Sequence, residues 1–186
     1  CLGDSFDIHA GGIDLQGNAG ADTSLQFVNS TGAMIGLQDV TTTGAQDYTG
    51  ATTFNGTYTT AGVAFTVTGT TTLAANATVD TTNAGGAPLG ADITFTDVID
   101  GASMFTLTGG TTGDVDVQDN VGETTPPTGL TINGDNIDVQ DITTTGDLIL
   151  RPNATLAADG LPRGLVTLNS TINTNGGAVT LGPAGG

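Results

Sequence analysis

Charged and aromatic residues are scarce in this chain of 186 residues. It has no Trp, 4% aromatic residues and 11% charged residues. Arg151 and Arg163 are its only Lys or Arg residues, whereas 19 acidic residues bring the formal net charge to -17. Nucleic-acid binding and docking on anionic lipid headgroups both depend on Lys and Arg. The composition therefore argues against both partners and favours bound cations or a salty medium around the surface.

Residue types that carry catalysis are also few. His9 is the only His and Cys1 the only Cys, and no GxSxG, HExxH, CxxC or phosphate-loop spacing occurs. Carboxylates for acid and base work are plentiful, but a β-helical polysaccharide lyase also needs a cation or a basic residue to hold an acidic sugar. We therefore expect no enzyme, with no cofactor beyond calcium. A carbohydrate-active β-helix, either lyase-like, hydrolase-like or glycan-binding, is the alternative.

A single cysteine permits no internal disulfide. Its place at position 1 resembles the lipid-bearing Cys that begins a mature bacterial lipoprotein, and a fragment that begins with Cys is the alternative. No apolar run is long enough to span a membrane. We therefore expect no membrane span, with a lipid anchor at Cys1 as one hypothesis.

Short stretches with alternating apolar residues follow one another along the chain, and none has a helical period. Thr or Asp occupies the other face of each stretch, and Gly, Asn, Asp or Pro bounds it, which is typical of β-strands. Examples are VAFTVT, DITFT, MFTLT, DVDVQ, NIDVQ and DLILR. The pattern predicts an all-β fold.

Several phrases recur along the chain. VDVQD at 115 returns as IDVQD at 137, an offset of 22, and NGTY at 55 returns as NATV at 76, an offset of 21. FTVTG at 65 returns as FTLTG at 105, and LQDVTTTG at 37 returns as VQDITTTG at 139; these offsets of 40 and 102 fit two and five such steps. NATL at 153 and NSTI at 169 look like further copies of the NGTY unit.

A unit of about twenty residues with short strands is typical of one coil of a parallel β-solenoid. The sequence therefore predicts about nine coils in one continuous domain over residues 1–186, without a clear cap at either end. A β-sandwich also uses strands about ten residues apart and is the alternative fold.

The phrases TTTGAQDYTGATTFNGTYTTAG, ADITFTDVIDGASMFTLTGG and ATLAADGLPRGLVTLNSTINTNGGAVTLG resemble the β-strand repeats of filamentous-haemagglutinin-like bacterial exoproteins and adhesins. The resemblance covers nearly the whole chain, but it is one of texture, with no motif as specific as a catalytic signature. It implies a right-handed β-helical stalk, export to the cell surface, and adhesive or scaffolding use with surface glycans or a cell receptor as partners.

These observations predict a structural extracellular protein that forms a surface fibre or adhesin stalk. Because neither end reads as a polar lid, we expect identical subunits, or adjoining segments of one long protein, to stack end to end. A further alternative is an ice-binding solenoid, suggested by the triplets TVT, TFT and TLT at 66, 94 and 106. The unequal offsets between these triplets, 28 and 12, predict an irregular array.

The doubled phrase also predicts an electrostatic problem. If the offset from Val115 to Ile137 is one coil, Asp116 lies over Asp138 and Asp119 lies over Asp141 on the outer surface. Like charges that are directly opposite repel each other. Either water and salt screen them, which we favour, or a calcium ion binds between them with Asp114 and Asp135 nearby.

Five Asn residues satisfy the N-glycosylation sequon. They are Asn29, Asn55, Asn76, Asn153 and Asn169. Glycosylation of a secreted protein is one interpretation. The one we favour is structural, because Asn suits the turns of a solenoid and Thr suits the strand that follows.

Overall fold

The computed structural model describes residues 6–15, 17–20, 24–153, 164–169 and 171–182. These residues form twenty β-strands and no helix, and every pairing between two of the strands is parallel. The strands are β1 (Phe6–Ala10), β2 (Ile13–Leu15), β3 (Val28–Leu37), β4 (Val40–Thr41), β5 (Gln46–Phe54), β6 (Thr57–Thr59), β7 (Phe65–Thr68), β8 (Thr71–Leu73), β9 (Ala77–Asp80), β10 (Ile93–Phe95), β11 (Ile99–Asp100), β12 (Met104–Thr108), β13 (Val115–Val117), β14 (Gly129–Gly134), β15 (Ile137–Val139), β16 (Ile142–Thr143), β17 (Leu148–Pro152), β18 (Val166–Leu168), β19 (Ile172–Asn173) and β20 (Val179–Leu181). The prediction of an all-β fold is confirmed. The parallel pairing disagrees with the sandwich alternative, whose sheets are antiparallel.

The strands belong to three parallel ladders that the chain visits in a fixed order. The first ladder runs β1-β3-β5-β7-β10-β13-β15-β18. The second takes β2, the later halves of β3 and β5, then β8, β11, the bridge residue Val121, β16 and β19. The third begins at the bridge residue Ala19 and continues β4-β6-β9-β12-β14-β17-β20. We call one visit to all three ladders a rung.

Eight rungs are present in the described residues, one fewer than the nine expected. On the first ladder the sequence offsets between paired positions are, in order, 22, 18, 19, 28, 22, 22 and 29. The longer offsets contain extra turn residues between ladders, such as the segment 81–91. The unit of about twenty residues is therefore the minimal rung, and insertions lengthen some copies.

Alternation along each strand sorts apolar and polar side chains. In β13 and β15, Val115, Val117, Ile137 and Val139 are buried, while the Asp residue between each pair faces outward. The same inward rows on all three ladders form one hydrophobic cluster. Because a single rung cannot bury these side chains alone, stacking of successive rungs supplies the hydrophobic stabilisation.

Aromatic rings fill the middle of this core. Phe54 is fully buried, and its ring centroid lies 4.4 Å from that of Tyr58 and 6.1 Å from that of Phe95. Tyr48 is also buried, and its hydroxyl group donates to Oε1 of Gln46 at 2.9 Å. The Nε2 amide of Gln46 donates in turn to the carbonyl of Thr59 at 2.9 Å. A polar network therefore joins the first ladder to the third inside the aromatic core.

Burial sets the ionisation of both tyrosines. It raises the pKa of Tyr48 well above the ordinary value, and the charges of Tyr58 and Asp47 raise it further. Burial also raises the pKa of Tyr58, against a smaller opposite effect from the backbone N–H of Asn55. Both hydroxyl groups therefore stay protonated through the alkaline range in which an exposed tyrosine ionises.

Glycines make the bend between the first and second ladders. Gly50 lies inside β5 with φ of +137°, and a Cβ atom there would lie 1.7 Å from the carbonyl oxygen of Gly32. Gly69 lies on the next rung with φ of +119° and approaches Gly50 in the same way. Only glycine permits this backbone conformation and this close stacking of bends.

The pairing separates true repeats from accidental ones. The steps from Val115 to Ile137 and from Tyr58 to Val79 are both single rungs, as predicted. The step from FTVTG to FTLTG is not, because Phe65 lies on the first ladder and Phe105 on the third. The interpretation of that offset as two coils was wrong.

Two further predicted repeats are also wrong, because their members lie on different ladders or at different bends. Val40 of LQDVTTTG lies on the third ladder, whereas Ile142 of VQDITTTG lies on the second. Asn153 follows the third ladder, and Asn169 follows the first. Neither residue shares the bend of Asn55 and Asn76, which lies between the second and third ladders.

Candidate functional site

A polar groove of about 360 Å³ lies along the first ladder. Its walls carry four carboxylates, from Asp92, Asp114, Asp116 and Asp138. Thr94, Asn136 and Thr167 complete its polar lining. We call it the carboxylate groove.

The two aspartates of the doubled phrase are neighbours in this groove. Asp116 and Asp138 are direct partners in the parallel register of β13 and β15, as predicted. Each has a hydrogen-bond donor of its own: Nε2 of Gln118 donates to Oδ2 of Asp116 at 2.6 Å, and Nδ2 of Asn169 donates to Oδ1 of Asp138 at 2.7 Å. Amide donors therefore partly compensate the repulsion between the two carboxylates.

Asp114 stabilises the backbone of the next rung. Its Oδ1 atom accepts the backbone N–H of Asn136 at 3.0 Å and the side-chain Nδ2 of Asn136 at 2.8 Å. One rung earlier, Oδ1 of Asp92 accepts the backbone N–H of Asp114 at 2.9 Å. One rung later, Oδ1 of Asn136 accepts the backbone N–H of Leu165 at 3.1 Å. The row therefore links four rungs through side-chain oxygens.

The same arrangement recurs on the other two ladders. In every case the acceptor immediately precedes a strand, and the donor is the backbone N–H at the same position one rung later. The acceptors are Asp39, Asn76, Asp92, Asp114, Asn136, Asp141 and Asp147. We call them the corner acceptors. Five of the 19 acidic residues therefore have this structural role, which the repeated phrases did not predict.

The predicted rung of Asp119 over Asp141 is wrong by one residue. Val121 pairs with Ile142, so the offset on the second ladder is 21 rather than 22. This register places Asp141 beside Asn120, and the Oδ1 atom of Asp119 instead accepts the backbone N–H of Asn120 at 2.7 Å. Of the two predicted like-charge pairs, only that of Asp116 and Asp138 is therefore present.

The calcium hypothesis gains no support from the side-chain positions. Among the described residues, no group of three or more His, Cys, Asp or Glu side chains is placed to hold a metal ion. Asp135, predicted to lie near the ion, is buried at 4% exposure. The remaining pair of Asp116 and Asp138 offers fewer oxygens than the six to eight that calcium takes. A calcium ion that bridges Asp116 and Asp138, with Asp114 and Asp135 nearby, stays a hypothesis, whereas the register removes the pair of Asp119 and Asp141.

The five sequon asparagines differ in their contacts. Asn55 and Asn76 lie at the same bend of successive rungs and are both exposed, whereas Asn29 is half-buried on β3. The Nδ2 atom of Asn153 donates to the carbonyl of Thr111 at 2.6 Å, and that of Asn169 donates to Asp138. Attachment of a glycan to either of those nitrogens would disturb a hydrogen bond between rungs. Asn55 and Asn76 are therefore the positions most compatible with glycosylation.

Threonines form continuous rows on two ladders. The triplets at 66–68 and 94–96 lie on adjacent rungs, because Thr66 pairs with Thr94. The triplet at 106–108 belongs to a separate outward row on the third ladder. That row consists of Thr57, Thr78, Thr106 and Thr131. The offset of 28 between Thr66 and Thr94 is thus a single rung, and the array is more regular than predicted.

The eighth rung is more exposed than the seventh, which it stacks on. Val179 and Leu181 of β20 are 46% and 54% exposed, whereas Leu148 and Leu150, their partners in β17, are fully buried. Leu168 is 37% exposed, and its partner Val139 is fully buried. The eighth rung therefore presents an apolar surface, with no strand of the described residues beyond it.

Comparison with protein-family models, with curated proteins and with solved structures found no significant match. The described residues include no helix of the length and hydrophobicity needed to cross a membrane. His9 is exposed on β1. The hypothesis of a lipid anchor at Cys1, and the position of Arg163, lie outside the described residues.

Proposed function

We propose that this chain is a right-handed parallel β-solenoid that serves as a structural rod in an extracellular surface fibre or adhesin stalk of the filamentous-haemagglutinin-like kind. The observation that carries the proposal is the uninterrupted stacking of parallel strands on three ladders around one apolar core. Such a body transmits load along its axis, because hydrogen-bonded ladders and the corner acceptors join successive rungs.

The contacts of the surface side chains support a structural role better than a catalytic one. In the carboxylate groove, Asp92 and Asp114 each accept a backbone N–H of the next rung, which is a structural use of the carboxylate. The described aromatic side chains are buried except for that of Phe27, so few rings remain for stacking on sugars. These contacts support a scaffolding role over a carbohydrate-active one.

Electron microscopy of the purified chain tests this proposal. We expect elongated particles that lengthen into filaments as the protein concentration rises. Compact particles at every concentration, or cleavage of any polysaccharide in a broad panel, would contradict it.

The threonine row on the third ladder supports a second candidate function, ice binding. Thr57, Thr78, Thr106 and Thr131 repeat on one outward face at the rung spacing of about 4.8 Å. A regular array of hydroxyl and methyl groups is what a crystalline water surface requires. If the face binds ice, Thr106→Lys reduces thermal hysteresis, whereas Thr66→Lys on the first ladder leaves it unchanged. Absence of hysteresis in the unmodified chain excludes this candidate.

A further inference from the structure

The backbone of the eighth rung is hydrogen-bonded on one side by the rung before it. Three amides of the seventh rung donate to three carbonyls of the eighth: Ile137 to Leu165 at 2.8 Å, Ile142 to Thr171 at 2.9 Å and Leu148 to Ala178 at 2.9 Å. The residues at the donor positions of the eighth rung are Val166, Ile172 and Val179. By the same parallel geometry their amides point away from the seventh rung, to an edge that no described strand covers.

This edge is also apolar and uncharged. Leu168, Val179 and Leu181 expose between 37% and 54% of their surface, although their partners on the seventh rung are fully buried. The sequence from 164 to 182 contains no charged residue, in a chain whose net charge is -17. Amides that no described strand pairs, beside exposed apolar side chains, are a template for one more β-rung.

We propose that this edge binds the N-terminal rung of a second copy of the chain, so that the three ladders continue head to tail from molecule to molecule. The inference rests on the proposed rod and names the partner of its eighth rung. In the proposed register Val166 pairs with Phe6, Ile172 with Ile13, and Leu181 with Ala19. Each pair extends a row that already runs through all eight rungs.

Charge favours this partner over a second C-terminal edge. The register places Asn173 beside Asp14, which is exposed on β2. An Asn amide against an Asp carboxylate between rungs is a contact that the chain already uses, between Asn136 and Asp114 and between Asn169 and Asp138. A head-to-tail contact also keeps the strands parallel, whereas a twofold contact between two C-terminal edges would pair strands in opposite directions.

Sedimentation velocity on the full 186-residue chain over a wide concentration range tests the proposal. We expect a series of species that extends beyond the dimer, because a head-to-tail contact does not close. Leu181→Asp places a charge on the inward row at the edge and weakens association about a hundredfold or more. Thr180→Asp is the matched control, since it adds the same charge to the outward side of the same strand, and it retains the series.

Each other outcome overturns the inference. A monomer at every concentration shows that the edge does not bind a second copy, and a series that stops at the dimer shows a contact between two C-terminal edges. Equal loss of association in both variants shows that net charge, rather than the edge, governs assembly. Distances between spin labels placed on successive rungs of the first ladder separate the two proposals. If the chain is a monomer and these distances still increase by one strand spacing per rung, the head-to-tail contact is contradicted and the proposed rod is not.

Discussion

Replacing Asp138 with Asn isolates the one pair of like charges that the doubled phrase creates. Asn keeps the side-chain oxygen that accepts Nδ2 of Asn169, so the substitution removes the charge and spares the hydrogen bond. Asp116 lies directly opposite in the neighbouring strand. Two charges at about 5 Å repel by about 0.8 kcal/mol in water. Cross-strand like-charge pairs fall in the same range.

We therefore expect Asp138→Asn to raise the free energy of unfolding by about 0.5–1 kcal/mol at low ionic strength. For a chain of this length that corresponds to a rise in Tm of about 1–4 °C. The gain should nearly vanish in about 1 M salt, because the screening length falls to about 3 Å. Thermal unfolding followed by circular dichroism at both salt concentrations measures it.

Asp147→Asn is the matched control. Asp147 likewise accepts a hydrogen bond from the next rung, in its case from the backbone N–H of Ala178 at 2.9 Å. Its neighbour on the previous rung is Gly129 of β14, which carries no charge. The control should show no gain that depends on salt. A loss of stability in Asp138→Asn at both salt concentrations would refute the repulsion. A loss that appears only with added calcium, and that a chelator abolishes, would establish a bridging ion instead.

Two further predictions concern buried hydroxyl groups. Thr71→Val should raise the free energy of unfolding by about 1 kcal/mol in denaturant unfolding. The Thr71 hydroxyl is buried without a hydrogen-bond partner, and the Val side chain has nearly the same shape as that of Thr. A lower free energy of unfolding would show that the hydroxyl does have a hydrogen-bond partner. Stability should fall as pH rises above about 10, by up to about 1.4 kcal/mol per pH unit for each buried tyrosine. The unfolded state ionises there, while Tyr48 and Tyr58, whose pKa values are raised, remain protonated. Tyr48→Phe should reduce this slope in alkaline unfolding followed by tyrosinate absorbance, and an unchanged slope would contradict the assignment.

The inward and outward pattern was predictable from sequence because it depends on local alternation. Val115, Val117, Ile137 and Val139 are buried as expected, and the register between their strands follows from one repeated phrase. Alternation cannot say which ladder a strand joins, since all three ladders have the same inward and outward pattern. FTVTG and FTLTG therefore look like copies of one unit although Phe65 and Phe105 lie on different ladders.

The details of the candidate site depended on features that repeats alone do not encode. Insertions between ladders, such as residues 81–91, change the step from one rung to the next without changing any strand pattern. A single-residue difference between ladders separated Asp119 from Asp141. The corner acceptors did have a signal, an Asp or Asn directly before the first apolar residue of a strand, as in Asp114-Val115 and Asp147-Leu148. This signal can be interpreted only when the next rung is known, because the hydrogen-bond donor lies there and not in the strand that the acceptor precedes.

Distances between spin labels along the first ladder test the stacked rod most directly. Asn29, Asp47 and Thr66 occupy successive rungs of the same outward row as Thr167, which lies six, five and four rungs away respectively. With Cys1 replaced by Ser, double electron–electron resonance from each site to a label at Thr167 should give about 29, 24 and 19 Å, decreasing by one strand spacing per rung. Three distances that do not decrease in this order would contradict the rod.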